Sequence, residues 1–241
     1  MRLDVFLTEK GFTASRTEAK NFITSGAVKI CGAVITKPSY DVDEEESDVR
    51  IDRSVKKYVS RGGYKLEGAL ADFKIDVKGR FAIDIGASSG GFTDCLLKNE
   101  VSHVICVDSG SGQLSESLQN DTRVTSIENY NARYMMREDF DYVPTLAVMD
   151  VSFISATYII PAVYNILSEN SDFICLIKPQ FEVGKSGVGK GGIVKSEKIR
   201  QSAVDKVTEF AKNVGFEVVK VVKSSIEGGD GNIEYLAHLR K

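Results

Sequence analysis

Asp84-Ile85-Gly86-Ala87-Ser88-Ser89-Gly90-Gly91-Phe92 is the stretch on which the fold turns. It follows an apolar run, residues 81–85, that reads as a strand, and it leads into a helical pattern. A Gly-rich turn at such a junction lets backbone approach a ligand without a Cβ clash. Open α/β sheets bind ligands there, at the carboxyl ends of their strands. Outward from the loop, further strand candidates lie at 103–107, 123–127, 145–149, 173–177, 217–222 and 233–239, with helical stretches between most of them. That alternation predicts a mostly parallel sheet covered on both faces. Residues 224–231 are too few for a crossover helix, so the last two strands should pair antiparallel. The reading is an α/β fold with a seven-stranded, Rossmann-like sheet.

The loop itself narrows the ligand. A dinucleotide fold wants GxGxxG to cradle a pyrophosphate, and the spacing here is GxxxGG. Asp84 would repel a pyrophosphate but suits the ammonium of S-adenosylmethionine. The next strand ends at Asp108, 24 residues after Asp84, where a carboxylate can accept hydrogen bonds from both ribose hydroxyls of a nucleoside. Gly86, Ala87, Ser88, Gly90, Gly91 and Phe92 are the remaining candidate cofactor contacts in the loop. Glu128 and Asn129, after the third strand, are candidates for the adenine. The pattern favours a class I methyltransferase domain over a dehydrogenase.

Four charged residues fall at the edges of the same cleft. Lys65 enters the first helix of the large domain, Asp150 ends strand four, Lys178 ends strand five and Glu234 opens strand seven. Charges at the ends of apolar strands are uncommon in a pure core. A hydroxyl that attacks a methyl sulfonium must lose its proton, and a lysine accepts it only when neutral. A second ammonium about 4 Å away costs on the order of 4 kcal/mol at an effective dielectric near 20, roughly three pKa units. Lys178 is therefore the candidate base or oxyanion stabiliser, with Lys65 tuning it and Asp150 and Glu234 orienting the set. Two structural ion pairs are the alternative reading.

The first 60 residues read differently. A short helix over 2–10 carries Leu3, Phe6 and Leu7 on one face. Ser15, with Glu18 three residues on, has the form of a capping box opening a second helix. Residues 28–30 and 33–36 read as a hairpin, and 48–51 as one more strand. This is a small α+β domain at 1–60, with a linker at about 53–63 and the large domain at 61–241. Net charge is −3, yet residues 1–40 hold six Lys/Arg against three acids, and residues 53–65 hold five and none. Basic patches are what a phosphate backbone feels. The four cysteines form no CxxC pair and have no His cluster beside them, so no metal site or disulfide framework is expected. No signal peptide or apolar run of membrane length is seen, and a cytoplasmic protein, monomeric or a weak dimer, is expected.

Five ordered blocks carry a resemblance. They are Ser60-Arg61-Gly62-Gly63-Tyr64-Lys65-Leu66, the Asp84–Asp94 stretch, Met149-Asp150-Val151-Ser152-Phe153-Ile154-Ser155, Lys178-Pro179-Gln180-Phe181-Glu182 and Gly231-Asn232-Ile233-Glu234-Tyr235. Together they resemble the signature blocks of the TlyA (haemolysin A) rRNA methyltransferases, over nearly the whole chain. The resemblance implies an FtsJ/RrmJ-like catalytic domain and an RNA-binding domain of the S-four type at residues 2–60. It implies a Lys-Asp-Lys-Glu tetrad at Lys65, Asp150, Lys178 and Glu234, and cofactor contacts at the 86–91 loop and Asp108. It implies a ribose 2′-hydroxyl of ribosomal RNA, in free RNA or ribosomal subunits, as the substrate. Arg2, Arg16, Lys20, Lys29, Lys37 and Arg61 are candidate RNA contacts, as are Lys185 and Lys190 in the Gly-rich segment 184–192, read as a mobile loop near the cleft. Two other classes stay open: an RNA-binding protein with a vestigial cofactor site, and a membrane-lysing protein. No basic amphipathic segment supports the latter.

Overall fold

Seven apolar runs of the second half join into one sheet. They are β4 (Phe81–Ile85), β5 (His103–Val107), β6 (Val124–Ile127), β7 (Leu146–Met149), β8 (Asp172–Ile177), β9 (Glu217–Lys223) and β10 (Tyr235–Arg240). Their order across the sheet is β6-β5-β4-β7-β8-β10-β9. The first five pair in parallel, and β10 runs antiparallel to both β8 and β9. The alternation and the terminal hairpin read from the sequence are both present. The computed structural model describes residues 1–241 except Ala14, Ser47, Lys56, Lys185 and Ser186 and the side chains of Thr17 and Asn21. It divides into two units, Met1–Arg61 and Gly62–Lys241.

Burial explains the sequence texture of the large unit. β7 and, from Phe173 on, β8 are covered on both faces and read as unbroken apolar runs, as central parallel strands do. β9 lies at an edge and carries Glu217, Lys220 and Lys223, charges that discourage edge pairing with another chain. Helices α3 (Gly62–Phe73), α4 (Gly91–Lys98), α5 (Glu116–Gln119), α6 (Ile160–Ile166), α7 (Pro179–Glu182) and α8 (Glu197–Val214) cover the sheet. Ile160 and Val163 of α6 and Val204, Val207 and Ala211 of α8 share one core with Ile85, Val107, Met149 and Phe173. The edge away from the Gly-rich loop is locked by Asp172. Its carboxylate accepts from Arg80 Nη1 at 2.6 Å and meets His238 Nε2 at 2.7 Å. Burial alone would raise the Asp172 carboxyl, but the bonds to His238 and Arg80 outweigh it and hold it near 2.

The small unit holds α1 (Leu3–Glu9), α2 (Arg16–Thr24) and an antiparallel sheet of β1 (Val28–Ile30), β2 (Ala33–Val34) and β3 (Val49–Ile51) in the order β2-β1-β3. Ser15 Oγ accepts the Glu18 N–H at 3.2 Å and so caps α2, a contribution of about 1 kcal/mol. The β1–β2 turn is two residues long, Cys31 and Gly32, both at positive φ, the geometry that matches the twist of a hairpin. Leu3, Phe6, Leu7, Ala19, Phe22, Ile23, Val28 and Val49 form the core. Asp4 is fully buried and accepts from Arg2 Nε and Arg16 Nη2, both at 2.9 Å. Burial opposes ionisation there, but the two guanidinium groups prevail and hold its carboxyl near 2.

Candidate active site

Strand register gathers the cleft charges. Met149 of β7 pairs with Cys175 of β8, and Tyr235 of β10 pairs with Ile177 of β8. Asp150, Lys178 and Glu234 each lie one residue beyond these strands, at the same edge of the sheet. Lys178 Nζ lies 2.5 Å from Asp150 Oδ1 and donates a hydrogen bond to Ser152 Oγ at 2.8 Å. Lys65 arrives from the first turn of α3 and donates to Glu234 Oε2 at 2.5 Å. Both members of that pair are buried, at 7% and 3% exposure. Ser225 Oγ and Lys220 Nζ bond to the Tyr64 and Asp72 carbonyls and hold α3 in place.

One electrostatic expectation changes. Their places in the sequence predict Lys65 against Lys178 as ammonium beside ammonium. The structure gives each lysine its own carboxylate instead. Opposite charges removed from water must be paired closely to offset lost hydration, and the two pairs do so.

The Gly-rich loop follows β4. Asp84 is wholly buried; its Oδ2 accepts from the Thr93 N–H at 3.0 Å and Thr93 Oγ1 at 2.6 Å. Its Oδ1 is buried with no hydrogen-bond partner. Burial pushes the Asp84 carboxyl up to about 7, against the Thr93 bonds and with help from the Asp150 and Asp108 carboxylates. Gly86 has φ +82°, and a Cβ there would lie 2.6 Å from the Asp150 carbonyl oxygen. The loop thus touches the end of β7. Ser88 N–H and Gly110 N–H donate to the two oxygens of Asp108 at 2.8 and 2.7 Å. Glu128 accepts the Gly112 N–H at 2.9 Å, and Asn129 N–H donates to the Gly110 carbonyl. So the 86–91 loop, Asp108 and the Glu128-Asn129 pair converge, with Ala87, Gly90 and Gly91 inside the turn. Phe92, in the first turn of α4, is 3% exposed and as enclosed as Asp84 and Ala87 beside it.

This set fits S-adenosylmethionine better than a dinucleotide. A buried acceptor without a donor awaits an ammonium, and Asp108 keeps lone pairs for hydroxyls. Neither carboxylate welcomes a pyrophosphate.

Several contributors were missed by sequence reasoning. Thr93 anchors Asp84, Ser152 holds Lys178, and Glu182 is buried behind both site loops; all three sit inside the blocks quoted above, which was their only signal. Phe153 has φ +64° and is 90% exposed, with its ring 5.2 Å from that of Phe181. Asn232 Nδ2 donates to the Gly192 carbonyl at 2.9 Å and its Oδ1 accepts the Val194 N–H at 3.0 Å. The end of the 184–192 segment is thereby fastened two residues before Glu234.

The proposed RNA contacts have mixed settings. Lys20 and Lys37 are exposed and Lys29 is half-buried on β1. Arg2 and Arg16 are half-exposed, and each engages Asp4. Arg61 is half-buried, Lys190 is exposed, and Lys185 lies outside the described residues. Among the described residues no helix is long and apolar enough to cross a membrane.

Comparison with known proteins agrees with the fold. Residues 58–241 match the FtsJ-like methyltransferase family and residues 1–48 match the S4 domain. Hemolysin A of Brachyspira hyodysenteriae is 41% identical over 99% of this chain and 99% of its own. The 16S/23S rRNA (cytidine-2'-O)-methyltransferase TlyA of Mycobacterium tuberculosis is 41% identical over 99% of this chain and 89% of its own. A solved structure of a Streptococcus thermophilus protein, 42% identical, superposes with a TM-score of 0.78 and covers 100% of this chain and 88% of that one. Fibrillarin of Aeropyrum pernix, 15% identical with a TM-score of 0.53 over 74% of this chain and 76% of that one, shares the fold. The chain belongs to the FtsJ-like methyltransferase family and carries an S4 domain at its N-terminal end.

Proposed function

We propose that this protein transfers a methyl group from S-adenosylmethionine to a ribose 2′-hydroxyl of ribosomal RNA, in free RNA or in a ribosomal subunit. The observation that carries the reading is the contact of the Gly86 turn with the Asp150 carbonyl, which sets the cofactor loop against the Lys178–Asp150 pair. When bound, S-adenosylmethionine supplies an electrophilic methyl group on a sulfonium. Asp84 would hold its ammonium, Asp108 its ribose hydroxyls, and Glu128 and Asn129 its adenine. Lys178, held as an ammonium by Asp150, is the group assigned to the substrate hydroxyl: it stabilises the developing oxyanion, and the hydroxyl proton passes by way of its Nζ to the Asp150 carboxylate. Asp150 and Ser152 aim the Lys178 ammonium. Lys65 and Glu234 complete the site beside it. Phe153 offers an exposed ring for base stacking.

The ribose of ribosomal RNA is supported by the names of two relatives, the Mycobacterium tuberculosis enzyme and the 23S rRNA (cytidine-2'-O)-methyltransferase TlyA of Campylobacter jejuni, 32% identical over 99% of this chain and 90% of its own. Residues 1–60 serve as the RNA-binding module, with Arg2, Arg16, Lys20, Lys29 and Lys37 near phosphates; residues 61–241 catalyse, with Arg61, Lys185 and Lys190 as further RNA contacts. The protein acts in the cytoplasm, where ribosomal subunits are, as a monomer or weak dimer. The test is transfer of labelled methyl from S-adenosylmethionine to ribosomal subunits, with mapping of the product. A 2′-O-methylated ribose supports the reading; a base-methylated product or no transfer overturns it.

A further inference from the structure

Glu182 ends α7, four residues beyond Lys178, and its side chain is 2% exposed. Its Oε1 accepts the Ala156 backbone N–H at 2.7 Å, and its Oε2 accepts the Ser155 hydroxyl at 2.5 Å. Lys206 of α8 lies 3.1 Å from the same Oε2 and donates to the Glu182 carbonyl at 2.9 Å. Ser155 and Ala156 close the loop that opens at Asp150. One carboxylate therefore ties the segment after Lys178 to the segment after Asp150, with α8 bracing it from behind.

What it ties matters for the site. Both partners of Lys178 Nζ, Asp150 Oδ1 and Ser152 Oγ, lie on the 150–156 loop. That loop also holds Phe153 in the left-handed region, a conformation that costs a bulky side chain energy and persists only where its surroundings fix it. At the far end of the loop the fixing comes from Glu182. A buried carboxylate with one ammonium and two directed donors has a partner on each oxygen and acts as an anchor between the elements that supply them.

We propose that Glu182 is a positioning residue for methyl transfer: through Ser155 and Ala156 it sets the 150–156 loop, and with it Asp150 and Ser152, against Lys178 Nζ. The proposal rests on the reading of Lys178 and Asp150 as the reacting centre. A displacement near 1 Å at such a centre can cost about 100-fold in rate.

The experiment compares Glu182→Ala, Glu182→Gln, Ser155→Ala and Lys178→Ala in the full chain, with ribosomal subunits as substrate. Glu182→Ala should lower kcat by about 30- to 100-fold while KM for S-adenosylmethionine stays within about threefold. Glu182→Gln keeps an acceptor for the Ala156 N–H and should recover most of that loss. Ser155→Ala removes one of the two loop bonds without leaving a buried charge unpaired, and should lower kcat by several-fold with cofactor affinity unchanged; it carries the test if Glu182→Ala fails to fold. Full kcat in folded Glu182→Ala or in Ser155→Ala, whatever happens to thermal stability, overturns the proposal. An active Lys178→Ala overturns the underlying reading of the site as well, so the two failures are told apart.

Discussion

Lys65 in the first turn of α3 and Glu234, 169 positions later in the chain, meet at 2.5 Å with both side chains almost wholly out of water. A buried pair of this kind is costly to split. Lys65→Ala strands the Glu234 carboxylate and should lower unfolding free energy by about 3–5 kcal/mol, read by urea denaturation. The double variant Lys65→Met with Glu234→Leu should recover most of that stability and none of the methyl transfer. A double variant as unstable as the single one would contradict the ion-pair account.

Lys178 is less enclosed, so its removal should be felt in chemistry rather than folding. Lys178→Ala should abolish methyl transfer while calorimetry shows S-adenosylmethionine affinity within a few-fold of the parent. A variant that retains full activity rules out Lys178 as the group that handles the hydroxyl proton.

Asp84 predicts two linked pH effects. Its folded carboxyl sits at about 7, above the ordinary value of 3.8. Its contribution to stability is therefore complete below pH 4, is lost as pH rises from about 4 to 7, and is level above. Without cofactor, Asp84→Asn should remove that loss. The cofactor's ammonium favours the ionised carboxylate, so affinity should fall below pH 7 by up to about tenfold per unit. Asp84→Asn should bind weakly with little pH dependence. Affinity in the parent that does not change between pH 8 and pH 6 would count against the ammonium contact.

The small unit separates structural from RNA-facing cations. Arg16→Ala loosens buried Asp4 and should lower the stability of residues 1–61. Asp4 itself, held near 2, supports folding above pH 4 and loses that support as pH falls toward 2. Lys20→Ala, Lys29→Ala and Lys37→Ala should leave stability unchanged and each reduce the log–log salt slope of single-stranded RNA binding by about 0.7. An unchanged slope removes that lysine from the contact surface.

Gly86→Ala places a methyl group 2.6 Å from the Asp150 carbonyl at a φ of +82°. Backbone must move to admit it. Cofactor affinity and kcat should both fall by more than tenfold, with a circular dichroism spectrum like that of the parent. Wild-type affinity would mean that the turn is looser than its contacts imply.

The parts of the site legible in the sequence were those at strand ends. Asp150 and Lys178 follow directly from locating β7 and β8, because parallel strands deliver their carboxyl-terminal residues to one edge. Asp108 follows in the same way from β5. What stayed hidden were partners set by side-chain direction across elements: Thr93 under Asp84, Ser152 under Lys178, Asp4 between Arg2 and Arg16, and Glu182 behind the 150–156 loop.

By itself the sequence determined the order of elements, the antiparallel end of the sheet and the place of the Gly-rich turn. Those follow from local periodicity and from a linker too short for a helix, and both are properties of adjacent residues. The tertiary structure decided how the four cleft charges divide. Lys65 is neutralised by Glu234 and Lys178 by Asp150, because burial makes an unpaired charge costly and each ammonium is held against the carboxylate within its reach. Sequence distance does not encode that reach; the register of β8 against β7 and β10 does.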